Sequence, residues 1–158
     1  MREFILIDGP SGAGKTTYAN QLAERTGYEV VHLDFFYPGW FGLEEGARMV
    51  VDTVLDPVAP GYRRWDWEFD RPGEWMGLNP QASYIIEGVG AITPESVAAA
   101  RKLGKVTTIL IDAPAGVRRD RALERDPLYE PWWDLWAAQE SVHFARLRGM
   151  PIDRRLSL

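Results

Sequence analysis

Between the apolar run Phe4-Ile5-Leu6-Ile7 and a helix-forming stretch that begins at Lys15 stands Gly9-Pro10-Ser11-Gly12-Ala13-Gly14-Lys15-Thr16. This segment meets G-x-x-x-x-G-K-[ST] at every required position, in the order strand, glycine-rich turn, helix that gives the pattern its physical meaning. The glycines let backbone N–H groups converge on one point, and the helix that follows aims its positive dipole end there too. Such a turn is a cradle for phosphate. Gly9, Ser11, Gly12, Ala13, Gly14, Lys15, Thr16 and Thr17 are the candidate nucleotide contacts, with Lys15 reaching the β- and γ-phosphates. The Thr16 hydroxyl would complete the shell of Mg2+, a cation held by few protein ligands plus substrate oxygens. ATP and Mg2+ are thus the ligands this turn implies.

The turn also points to a fold class. Apolar runs at residues 4–7, 29–33, 84–86 and 106–111 each end in an acid: Asp8, Asp34, Glu87 and Asp112. Helices are predicted over residues 15–25, 43–55, 94–103, 116–125 and 132–148, with Thr93 and Pro94 as N-cap and first helical residue of the third. Strand–helix alternation implies a mostly parallel central sheet covered on both faces, the three-layer α/β/α arrangement of a P-loop NTPase. The tail, residues 149–158, offers no convincing fifth strand, because Met150-Pro151-Ile152 is a poor substitute for an apolar run. Residues 59–81 read as loop, broken by Pro60, Gly61, Pro72, Gly73, Gly77 and Pro80. Long irregular segments in compact domains are more often functional than idle.

A chain of 158 residues argues for one domain, residues 1–158. Asp and Glu outnumber Lys and Arg by 23 to 18, a balance that speaks against a nucleic-acid binder. With no cysteine there is no disulfide framework and no thiol nucleophile. No apolar run approaches a signal peptide's core or a membrane span, so the expectation is a cytoplasmic protein without a membrane partner.

A phosphate cradle alone does not define chemistry. A GTPase would need a base-reading N-K-x-D segment, which is absent. A small-molecule kinase needs a group for the acceptor hydroxyl, an acid that helps organise magnesium, and cations for the transferring phosphate. Asp34 ends the second strand, where open parallel sheets place ligand-handling groups. Glu87 ends the third. Arg118, Arg121 and Arg125 share one face of a predicted helix. Trp65, Asp66, Trp67 and Trp75 lie between the strands carrying Asp34 and Glu87, and suit a sugar or nucleobase acceptor. Tyr37 and Arg64 join them on the same logic. Trp132, Trp133 and Trp136 have helical spacing and read as packing, Trp40 has no assignment, and His32 and His143 stand isolated without metal-ligand spacing.

Leu33-Asp34-Phe35-Phe36-Tyr37 resembles the D-x-F-Y segment of the uridine kinase and phosphoribulokinase group of P-loop kinases. Ile86-Glu87-Gly88 is similar to that group's strand ending in Glu-Gly, and Arg118-x-x-Arg121-x-x-x-Arg125-Asp126 to its lid helix. These segments share order and approximate spacing over residues 4–126. The resemblance implies Asp34 as catalytic base, Glu87 as magnesium organiser, and Arg118, Arg121 and Arg125 as phosphate contacts from a lid at residues 115–131. Residues 38–82 are the expected acceptor-binding insertion, with Arg64, Trp65 and Asp66 among the acceptor contacts beside Asp34 and Tyr37. The loop itself resembles cytidylate kinase as closely, but the D-T-G-x-x-Y-R segment that binds a monophosphate there is absent. A nucleoside-monophosphate kinase is the alternative within the class, and an ATP-binding regulatory protein with little turnover the alternative outside it.

Overall fold

Strand β1 (Glu3–Asp8) is the axis of the computed structural model, which describes residues 1–158. Its alternate side chains go to opposite faces, and both faces are apolar: Phe4 and Leu6 enter one core, Ile5 and Ile7 the other. A strand that buries both faces belongs in the middle of a covered sheet. β2 (Glu29–His32), β5 (Tyr84–Glu87), β6 (Lys105–Asp112) and β7 (Arg154–Ser157) complete the order β2-β5-β1-β6-β7, and every pairing in it is parallel. The residues that follow β1, β2 and β5 therefore emerge at one edge of the sheet, where parallel α/β sheets carry their ligands.

Helix α1 (Lys15–Thr26) places Ala19 in the smaller core and stops at Gly27, whose left-handed φ of 76° lets its N–H reach back to Ala23 O. The larger core receives Leu43 from α2 (Leu43–Met49), Val97 and Ala100 from α3 (Pro94–Arg101), and Trp136 from α5 (Trp133–Arg146). Each large apolar side chain so buried is worth about 1.5–3 kcal/mol. α3 starts in a reciprocal capping box between Thr93 and Ser96. α4 (Ala115–Arg125) follows β6. The three-layer arrangement is the one expected, and no helix is long and apolar enough to cross a membrane.

Four expectations need correction. The helix expected over residues 43–55 changes pitch after α2, and Val50–Val54 form a widened turn in which Leu55 N–H bonds Val50 O. Val50, Val51, Thr53 and Val54 are all β-branched and crowd a regular helical turn. The expected loop at 59–81 is a hairpin, β3 (Gly61–Asp66) and β4 (Arg71–Gly77), antiparallel with an irregularity between Arg63 and Trp65. Pro72 sits within β4 because a two-stranded ribbon has open edges. The last helix begins only at Trp133, after a 3-10 turn over Pro127–Trp132. Finally, the tail does supply a fifth strand, β7. Asp153 fixes its approach by accepting from Thr108 N–H at 2.9 Å, and Leu156 packs on the smaller core.

Candidate active site

The phosphate loop is anchored before it turns. Asp8 is fully buried, and its carboxylate accepts from Gly9 N–H at 2.7 Å, from Ile92 N–H at 2.9 Å and from His143 Nε2 at 2.8 Å. A buried carboxylate left without donors would cost several kcal/mol, so this set fixes the loop's start against α5 and the segment after β5. Two glycines are required by close approach. At Gly9 (φ 150°) a Cβ would lie 2.0 Å from Ile111 O, and at Gly12 (φ 79°) one would lie 2.2 Å from Arg118 O. Lys15 Nζ donates to Pro10 O at 2.9 Å.

Ser11, Gly12, Gly14, Lys15, Thr16 and Thr17 open onto a cavity of about 730 Å3. Asp34 and Glu87 face the same cavity from the ends of β2 and β5. Thr16 Oγ1 donates to Glu87 Oε1 at 3.1 Å, and His32 Nδ1 meets that oxygen at 2.6 Å from the register-paired position on β2. Glu87 is almost fully buried. The Thr16 and Glu87 oxygens fit a hard divalent cation that takes its other ligands from phosphates and water. No group of three or more His, Asp or Glu forms a self-contained metal cage.

Asp34 lies in the 3-10 turn Leu33–Phe35, solvent-accessible through the cavity but enclosed by protein around it. Loss of bulk water pushes its carboxyl above the ordinary carboxylate range, and Glu87 adds to the rise, while Lys15, Arg125 and His32 oppose it. Trp67 on the hairpin tip donates its Nε1–H to Asp34 O at 3.0 Å, so residues 38–82 do reach the site. Arg64 also lines the cavity, its guanidinium 4.7 Å over the Phe35 ring. Tyr37 forms part of the floor. Its buried hydroxyl donates to Val89 O at 2.6 Å, and burial holds it protonated well above the usual tyrosine range.

Other candidates lie elsewhere. Gly9 and Ala13 are outside the lining, Ala13 being fully buried in the smaller core. Of the three arginines, only Arg125 lines the cavity. Arg118 turns toward the loop's outer side, donating to Ala113 O at 3.0 Å and Ser11 O at 3.4 Å, and Arg121 is exposed on α4. Asp66 serves its own turn, accepting from Glu68 and Phe69 N–H at 3.1 Å. Trp65 and Trp75 do not line the cavity.

An aromatic wall takes their place, of which sequence reasoning assigns only Trp67 to the site. Trp40 stacks nearly parallel on Trp132 (ring centroids 5.7 Å, 7°), meets Trp136 edge-on, and packs against Trp67 and Tyr129. All five line the cavity. The helical spacing of Trp132 and Trp136 suits packing and site equally; Trp136 does both.

No family model matches the chain. It is 30% identical over 129 residues, 70% of its length, to a bifunctional pantoate ligase/cytidylate kinase of Gloeobacter violaceus, of which it spans about a quarter (25%). It is 27% identical over 158 residues, covering 90% of its own length and 82% of the relative's, to shikimate kinase 2 of Yersinia pseudotuberculosis. A solved structure described as a possible uridine kinase from Bacillus stearothermophilus superposes with a TM-score of 0.55 at 19% identity, over 98% of this chain and 88% of that one. The chain has the α/β fold of P-loop kinases, and its likeness in sequence is to small-molecule kinases of that fold.

Proposed function

We propose that this chain transfers the γ-phosphoryl group of ATP to a hydroxyl of a small molecule, nucleoside- or sugar-like. One observation carries the reading: the phosphate loop, Thr16 with Glu87, and Asp34 converge on one cavity whose remaining wall is aromatic. Lys15 and the loop amides hold the phosphates. Thr16 and Glu87 would hold Mg2+, which when bound neutralises charge on the transferring group. Asp34 accepts the proton of the attacking hydroxyl, and a carboxyl with a raised pKa suits a general base working near neutral pH. The hydroxyl oxygen bonds to the γ-phosphorus as the bond to the β-γ bridging oxygen breaks, and ADP leaves. Arg125 supplies positive charge from the end of α4. Aromatic faces offer a flat apolar surface to the acceptor while excluding water that would otherwise hydrolyse ATP.

The nucleoside-monophosphate kinase reading draws support from the partial match to the cytidylate-kinase-containing relative. An ADP-release screen against nucleosides, nucleoside monophosphates, sugars and other alcohols separates the two. An alcohol acceptor whose turnover collapses in Asp34→Asn and vanishes in Lys15→Ala is expected. A monophosphate as best acceptor, with little dependence on Asp34, would overturn the first reading in favour of the second. ATP binding with no acceptor-dependent release would leave a nucleotide-binding regulator.

A further inference from the structure

Glu140 is a charged residue with no place in the chemistry above. It is 5% exposed on α5 and lines no part of the cavity, yet its Oε2 accepts Ser11 N–H at 2.6 Å. The oxygen of the same Pro10–Ser11 peptide, Pro10 O, accepts from Lys15 Nζ at 2.9 Å. Ser11 O in turn accepts from Arg118 Nη1 at 3.4 Å. The peptide plane is thus gripped at its N–H by an acid and at its C=O by the lysine that addresses phosphate, and it cannot rotate without losing both bonds.

We propose that Glu140 is a positioning residue for nucleotide binding, fixing the Pro10–Ser11 peptide and so the loop geometry on which Lys15 and the phosphate-facing amides depend. The inference rests on the phosphate-binding reading of the loop. An acid buried this deeply is costly to the fold unless its oxygens are hydrogen-bonded, and Ser11 N–H supplies that bond. Burial raises the Glu140 carboxyl above its ordinary range and Asp8 adds to that, while Ser11 N–H, Lys15 and Arg118 favour the ionised form. Glu140 shares its face of α5 with His143, which grips Asp8 at the loop's origin, so one helix holds the loop at two points.

Two variants and one amide test this. Glu140→Met fills much the same space without an acceptor and leaves the buried Ser11 N–H unpaired. Its melting temperature should fall by a few degrees with the fold retained, while its Kd for ATP, by calorimetric titration, rises roughly ten- to a hundredfold. Glu140→Gln keeps a carbonyl oxygen for Ser11 and should bind ATP within about threefold of the parent. Parental affinity in Glu140→Met overturns the proposal, and so does a Glu140→Gln protein as weak as Glu140→Met. If Glu140→Met does not fold, exchange of the Ser11 amide in the parent decides, protection supporting the bond and unprotected exchange overturning it. That measurement needs no nucleotide. Failure of the parent protein to transfer phosphate with ATP binding intact would count against the kinase reading alone.

Discussion

Asp34 is held where the fold would prefer it neutral and the proposed chemistry needs it charged. Because burial raises its carboxyl, the folded chain keeps a proton there at pH values where the unfolded chain has lost it. The stability so contributed is complete below the ordinary carboxylate pKa and drains away as pH rises through the raised one. Asp34→Asn removes this dependence, so the variant should melt above the parent at pH 8, with the difference shrinking toward pH 4. A constant difference across that range, measured by thermal denaturation, would contradict the environment described. Its kcat should fall by roughly a hundredfold or more, with ATP affinity little changed. That Asp34 faces the cavity was legible in advance because strand ends in a parallel sheet emerge where ligands bind, although Asp8, closing β1 in the same way, holds backbone instead. Trp40 was not, since its role depends on Trp132 and Trp136, some ninety residues away in sequence.

Among the elements, the phosphate loop depends on contact with two others. Gly12 passes so close to α4 that a methyl group would meet Arg118 O at 2.2 Å. Gly12→Ala must displace the loop or the helix, and ATP affinity should drop by more than tenfold while the protein stays folded, as judged by titration beside circular dichroism. His143→Ala breaks the 2.8 Å bond to Asp8 but leaves that carboxylate its backbone donors. The expected cost is about 1–3 kcal/mol in urea denaturation; a loss near zero would mean α5 does not anchor β1. Legibility divides along the same line. β1, its loop and α1 are specified by neighbours in sequence, and they were read correctly. β7 and the hairpin are specified by partners, since Arg154-Arg155-Leu156-Ser157 becomes a strand only beside β6, and Pro72 is tolerated only on an open ribbon.

Taken whole, the molecule gathers its candidate site residues from the edge where β1, β2 and β5 end, the hairpin and α5, around one cavity. Ligand binding should therefore tie distant segments together and raise global stability. At a hundred times its Kd, ATP with Mg2+ should add about 2.7 kcal/mol, or roughly 5–10 °C in Tm for a chain of this size. Lys15→Ala should abolish the shift; an undiminished shift in that variant would place the nucleotide elsewhere. The aromatic wall has an optical consequence. Four of the seven tryptophans, Trp40, Trp67, Trp132 and Trp136, line this single cavity. Much of the intrinsic emission of the protein thus originates within reach of whatever binds there. The chain carries its own fluorophore in the cavity wall, and an arriving molecule would report itself as quenching or a spectral shift without any label.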